Sequence, residues 1–190
     1  MFDVPGWIEW VAFGCSMFGA ACIFALSMVS LVCPAFQFFP PPDKRSWQYG
    51  TFRLLFRLFL YPLVVLSILT FELSDGSSAI VRYVIGGSLA AAGIGVAFWI
   101  SIRMGWRNAF GEERGLQTTG WFRLSRNPVY VATWVGLLGW GIVVPELLVI
   151  ILLMLWGILY MVAPFLEEPW LEARYGDNYR KYRRSTPRFF

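Results

Sequence analysis

Apolar positions in this sequence fall in long runs, broken by short charged segments. A membrane-spanning helix needs ~20 largely apolar residues. The runs predict helices at about Trp7 to Val32, Phe52 to Phe71, Ser78 to Ile102, Val129 to Val143 and Glu146 to Leu166. The fourth is short for a full span at ~1.5 Å of rise per residue. Pro145 separates it from the fifth, so those two predict a tight antiparallel hairpin. The third carries Gly86, Gly87, Gly93 and Gly95 with Ala90 to Ala92, a small-residue face that permits close helix contact. Arg53 and Arg57 stand four apart at the start of the second, on one face, where they can snorkel to the interface. The expected fold class is an all-α membrane protein with five transmembrane helices in one domain, 1–190. Residues 1–102 would form a three-helix part, and 103–190 a loop, the helical hairpin and an interfacial tail.

Composition agrees with that pattern. Of 190 residues, 57% are hydrophobic and 15% charged, against about 45–50% and about 25% in soluble domains. The first run lacks the basic flank of a signal peptide, having Asp3 and Glu9 instead. There is no histidine, which removes Ser-His-Asp and Cys-His catalysis and histidine metal sites. Cys15, Cys22 and Cys33 lie in or at the end of the first run, with neither disulfide nor metal-ligand spacing, so they read as small packing residues and no metal is expected.

The placement of charge gives the topology. With five spans, 15 of the 16 basic residues fall on one side, leaving Arg82 on the other with Asp3, Glu9, Glu72, Asp75 and Glu146. Basic residues concentrate in cytoplasmic segments, which puts the N-terminus outside and the C-terminus in the cytoplasm. The net charge of +4 is then a membrane flank and no nucleic-acid surface.

Three segments would face the cytoplasm: 33–50 with Pro40, Pro41 and Pro42 as an extended connection, 103–127, and the tail from Glu167. The second runs from Arg103 through Gly105, Trp106, Phe110, Gly111, Glu112, Glu113 and Arg114 to Gly120-Trp121-Phe122. Glycine lets such a loop wrap a ligand closely. In Arg126-Asn127-Pro128-Val129-Tyr130, Asn127 suits an N-cap and Pro128 the first helical position. A helix N-terminus beside Arg126 would suit a carboxylate or phosphate. Glu167-Glu168 stand at the expected end of the fifth helix, where acids oppose the helix dipole. They also suit the start of a further short helix opened by Pro169 and closed near Gly176, with Asp177 capping another turn through Tyr182. Trp170, Leu171, Tyr175, Tyr179 and Tyr182 would form its interfacial face. The hairpin brings Arg126 and Tyr130 near Glu167 and Glu168, so opposite charges could clamp a small zwitterionic or anionic ligand.

The ordered set from about Met104 to the C-terminus resembles the isoprenylcysteine carboxyl methyltransferase family of integral-membrane methyltransferases, whose wider group includes phospholipid methyltransferases. It is carried by Gly120-Trp121-Phe122, Arg126-Asn127-Pro128-Val129-Tyr130, Glu167-Glu168, then Tyr175-Gly176-Asp177-Asn178-Tyr179-Arg180-Lys181-Tyr182, closing with Pro187-Arg188. The resemblance implies S-adenosylmethionine as methyl donor. It implies donor-binding residues Gly115, Leu116, Gln117, Phe122, Asn127, Pro128, Tyr130 and Glu167; Arg126 and Glu168 join them as charged neighbours. Glu167, Glu168 and Tyr130 are the candidate catalytic groups. Asn127 stands where eukaryotic members have histidine and bacterial-type members often have asparagine, a departure that fits the family. The expected location is a bacterial cytoplasmic membrane, with the site facing the cytoplasm. The isoprenylcysteine enzymes carry an arginine just before the glutamate pair; this chain reads Ala163-Pro164-Phe165-Leu166 there, which gives other lipophilic acceptors weight.

The expected partners are a lipophilic small-molecule substrate and membrane lipid. A carboxylate acceptor needs no base, whereas a thiol or ammonium must first lose a proton. Without histidine, only Glu112, Glu113, Glu167, Glu168 or a tyrosine could take it. Two other classes fit the composition: a non-enzymatic membrane binding or assembly protein, and a membrane reductase with a similar C-terminal region.

Overall fold

The structure is a computed structural model that describes residues 6–33, 35–104 and 115–190, with only the backbone described for Ser77. Asp3 and the loop residues Gly105, Trp106, Arg107, Phe110, Gly111, Glu112, Glu113 and Arg114 lie outside the described residues. All described regular structure is helical. Helix α1 is Trp7–Val32 and α2 is Trp47–Leu69. The third, α3, runs without a break through Ser77–Ala79, the wide π-helical turns Ile80–Gly86, and Gly87–Met104. A single 3-10 turn, Gly120–Arg123, precedes α4, Pro128–Val143. Helix α5 is Leu147–Tyr175 and α6 is Asp177–Ser185.

Four of these helices are long and apolar enough to cross a membrane: α1, α2, the Ile80–Met104 part of α3, and α5. Helix α4 is a shorter apolar helix, as its sequence expects. Only 22% to 33% of each apolar stretch is buried, so most of the apolar surface faces outward. Trp10, Phe18, Ile68, Val84, Phe98, Leu138 and Met154 are all exposed. Such a surface calls for lipid as solvent, and helices satisfy their backbone polar groups internally there.

The core lies between α1, α2, α4 and α5. Ala20, Phe59, Leu63, Leu66, Val149 and Leu152 are fully buried in it, and Leu137 joins from α4. Gly19 lets α1 touch α2: a Cβ there would stand 2.7 Å from the Leu55 carbonyl oxygen. Most polar side chains inside find partners, with the Trp156 indole N–H an exception. Ser16 Oγ donates to the Phe59 carbonyl at 2.7 Å, Trp134 Nε1 to the Gly157 carbonyl at 3.1 Å, and Trp140 Nε1 to Ser67 Oγ at 3.1 Å. The Trp134–Gly157 contact also confirms that α4 and α5 run antiparallel across a short turn.

Helix α4 makes its most extensive contact with α3, more than with its hairpin partner. Gly86, Ala90 and Gly93 of α3 meet Gly136 and Gly139 of α4, backbone to backbone. A Cβ at Gly136 would come within 2.9 Å of the Ile94 backbone nitrogen. Gly87 and Gly95 meet nothing, so about half of the expected small-residue face is used. Beyond this contact, Arg82 reaches across from the π-helical turns. Its Nε and Nη2 donate to the Val143 carbonyl at 3.2 and 2.9 Å, at the C-terminus of α4. A cation there satisfies an orphan carbonyl and complements the helix dipole.

Three expected boundaries are corrected. Helix α2 begins at Trp47 rather than Phe52, because Ser46 caps it by accepting from the Tyr49 N–H at 3.3 Å. Arg53 and Arg57 therefore lie inside the helix. Helix α5 does not end near Leu166; it continues through Pro164 and Pro169 to Tyr175. Each proline removes one N–H and leaves the carbonyl four residues earlier without its helical partner, which membrane helices tolerate when neighbours hold the segment. No separate helix starts at Pro169, although Gly176, with φ of 52°, does end the helix as expected. Asp177 is the first residue of α6 and not its cap, and α6 extends past Tyr182 to Ser185.

Candidate functional site

Where α2, α3, α4 and α5 end together, opposite Arg82, they enclose a cavity of about 790 Å³. Ligand cavities commonly measure about 300–1,000 Å³. All ten residues that the sequence proposes line it: Gly115, Leu116, Gln117, Phe122, Arg126, Asn127, Pro128, Tyr130, Glu167 and Glu168. The opposite wall comes from α2, with Phe52, Arg53, Phe56, Arg57, Leu60 and Tyr61.

Glu167 and Glu168 are not at a helix end. They sit in the middle of α5, between the two prolines, so the expected conflict with the helix dipole does not arise. Adjacent helical residues point about 100° apart, and the two carboxylates have different partners. Glu167 Oε1 accepts from the Tyr130 hydroxyl at 2.5 Å, and Tyr130 packs against Tyr160 with ring centroids 4.6 Å apart. Among the described residues no cation pairs with Glu167. Glu168 is held on both oxygens. Arg126 Nη2 donates to Oε1 at 2.8 Å, Arg188 Nε to Oε1 at 2.8 Å and Arg188 Nη2 to Oε2 at 2.7 Å. Both Glu168 and Arg126 side chains are only 9% exposed. Two cations around one anion leave this triad, with Arg188 half-buried at its edge, with one net positive charge. One helical step away, the Glu167 carboxyl is met by a neutral tyrosine hydroxyl.

The C-terminal tail fixes the segment that leads into α4. Arg126 N–H donates to the Pro187 carbonyl at 2.9 Å, and Arg126 Nη1 to the Arg183 carbonyl at 3.0 Å. Asn127 holds the N-cap position, but its side chain does not cap. Its Nδ2 donates to the Arg188 carbonyl at 3.0 Å, which also accepts from Ser125 Oγ at 3.1 Å. Pro128 does take the first helical position. The Tyr182 hydroxyl donates to the Phe122 carbonyl at 2.6 Å, and Phe189 packs on Trp134. Tyr179 and Tyr182 thus face inward, 1% and 8% exposed, and not an interface as expected. Burial pushes both hydroxyls up to about 12, so they remain protonated donors at neutral pH. Trp170, Leu171 and Tyr175 of the same expected face also line the cavity.

Arg188 is the residue that sequence reasoning missed. It closes the motif Pro187-Arg188, but only the fold brings it 20 positions back to Glu168. Tyr160 was missed for a similar reason: it sits in an apolar run with no polar neighbour in sequence to mark it.

A family model for phospholipid methyltransferases matches residues 81–178, from within α3 to the start of α6. The chain belongs to the phospholipid methyltransferase family. It is therefore an S-adenosylmethionine-dependent methyltransferase of the membrane, with a lipid-type acceptor. This settles the choice against a non-enzymatic binding protein and against a reductase. Comparison with curated proteins and with solved structures gives no match. The matched segment holds Tyr130, Arg126 and both glutamates; Arg188 and the α2 wall lie outside it.

Proposed function

We propose that the cavity holds S-adenosylmethionine and presents it to a lipophilic acceptor at the cytoplasmic face. The charge pattern carries this reading: an unpaired Glu167 beside a triad with surplus positive charge. The amino-acid end of the donor has the complementary pattern, an ammonium and a carboxylate on one carbon. A buried charge needs a partner, and a zwitterion supplies one to each side.

The reading gives roles to named residues. Glu167, oriented by Tyr130, takes the ammonium. Gly115, Leu116, Gln117, Phe122, Asn127 and Pro128 line the rest of the donor's surface. Glu168 is occupied on both oxygens, so it positions Arg126 rather than acting on substrate. When bound, the donor supplies an activated methyl group on a sulfonium; the protein supplies orientation and exclusion of water.

The acceptor side is α2. Phe52, Phe56, Leu60 and Tyr61 give an apolar wall, with Arg53 and Arg57 beside it for a polar head. Ser101 and Met104, at the end of α3, line the cavity across from α2, and these two helices make no extensive contact. A lipid could reach the cavity sideways between them. Five spans, with the N-terminus outside and α6 in the cytoplasm, follow from the placement of basic residues.

A binding isotherm with purified protein tests the donor assignment. Saturable binding of S-adenosylmethionine is expected, and lost in Glu167→Ala; a wild type that binds none sinks it. Transfer of labelled methyl to a lipid extract then identifies the acceptor atom as oxygen, nitrogen or sulfur.

A further inference from the structure

We infer that Arg188, which does not line the cavity, is a positioning residue that makes Arg126 receptive to the carboxylate of the methyl donor. The inference rests on the donor reading above and assigns a role beyond the segment that defines the family. Its basis is charge and hydrogen-bond accounting. A lone Arg126–Glu168 pair would be neutral, with Arg126 spent on its carboxylate. Arg188 grips the same carboxylate through two nitrogens, at 2.8 and 2.7 Å. Such bidentate pairs are the strong form of a charge-assisted bond. Arg188 thereby compensates Glu168 by itself. Arg126 keeps its position against Glu168, and its charge becomes surplus at a cavity wall.

The surroundings hold Arg188 in this role. Its guanidinium lies 4.2 Å from the centroid of the Phe165 ring, and its carbonyl is fixed by Ser125 and Asn127. Glu168 raises the guanidinium pKa further above its ordinary value, so Arg188 stays charged at any working pH. Arg126 Nε is buried with no partner, and an unmet buried donor is costly. A carboxylate arriving at this wall would meet the surplus charge. The ammonium beside it would meet Glu167.

A merely structural tail makes a different prediction from a charge-setting one, and two ligands separate them. S-adenosylmethionine and its decarboxylated form share the nucleoside, the sulfonium and the amine; only the first has the carboxylate. Dissociation constants for both are measured on the wild type, Arg188→Gln and Arg188→Lys, with melting temperatures alongside. Arg188→Gln is expected to weaken the full donor by at least about tenfold, and the decarboxylated form by less than about twofold. Arg188→Lys keeps the charge but not the fork, and should retain full-donor affinity to within about threefold. Equal weakening of both ligands, or of neither, overturns the inference. So does a lysine variant as poor as the glutamine one. Should Arg188→Gln not fold, the wild type and the lysine variant still decide, since each must prefer the full donor by at least about tenfold. Absence of that preference overturns the inference while leaving donor binding intact, whereas a wild type that binds neither ligand removes the donor reading itself.

Discussion

The two ends of the α4–α5 hairpin both place arginine at the edge of an apolar bundle, to opposite purposes. At the far end, Arg82 spends its guanidinium on the Val143 carbonyl and lies near the rings of Phe71 and Tyr83. There the cation closes a helix terminus. At the near end, Arg126 and Arg188 share one carboxylate, and Glu167 stands by with none. There the account does not close, in charge or in hydrogen bonds. An unbalanced cluster is costly for folding alone, so the proposed donor would complete the near end, whereas the far end is structure.

This contrast can be broken at four places. The largest effect is expected from Glu167→Gln, which keeps shape and removes the unpaired charge. Donor affinity should fall by about 100-fold with the melting temperature unchanged or raised, as read by titration calorimetry. An unchanged affinity would mean that the near end is also structural. Next comes the seam between α3 and α4. Gly136→Val forces a side chain into the Ile94 backbone and should cost about 2 kcal/mol, seen as a lowered thermal midpoint in detergent. Third, Arg82→Gln uncaps α4 and should cost about 1 kcal/mol of stability. Its donor affinity should equal the wild type's; a loss there would show that the two ends are coupled. The smallest effect is set for Arg57→Gln on the α2 wall. The acceptor KM should rise by about threefold with donor affinity unchanged, measured once an acceptor is identified. A change in donor affinity instead would move Arg57 out of the acceptor wall.

Much of this was legible in the chain, and for a definite reason. Hydropathy alone places the long helices, since the bilayer demands length and apolarity together. Pro145 marks the hairpin, and the hairpin brings Tyr130 to Glu167. What hydropathy cannot see is where a helix persists against local grammar. Pro169 reads as a helix start, yet α5 runs through it, so Glu167 and Glu168 are mid-helix. Asn127 reads as a cap, but its amide is claimed by the Arg188 carbonyl. Tyr179 and Tyr182 read as interfacial because their spacing is amphipathic; the fold turns that face inward onto the cavity instead. In each case a tertiary partner distant in sequence outbids a local preference. Ser46 is the exception, since its cap of α2 is purely local and visible in Asp43-Lys44-Arg45-Ser46 before the apolar run.

The contacts of the tail also separate two requirements of assembly. Helices α1 to α5 suit a bilayer by their own apolar character, to which residues 187–189 contribute nothing. Without those residues, Glu168 lacks Arg188, Asn127 lacks its carbonyl, Arg126 N–H lacks the Pro187 carbonyl, and Trp134 lacks Phe189. Membrane insertion and completion of the charged cluster therefore draw on different parts of the chain. Removing residues 187–189 should leave the apolar helices in the membrane and unseat Arg126 and Glu168.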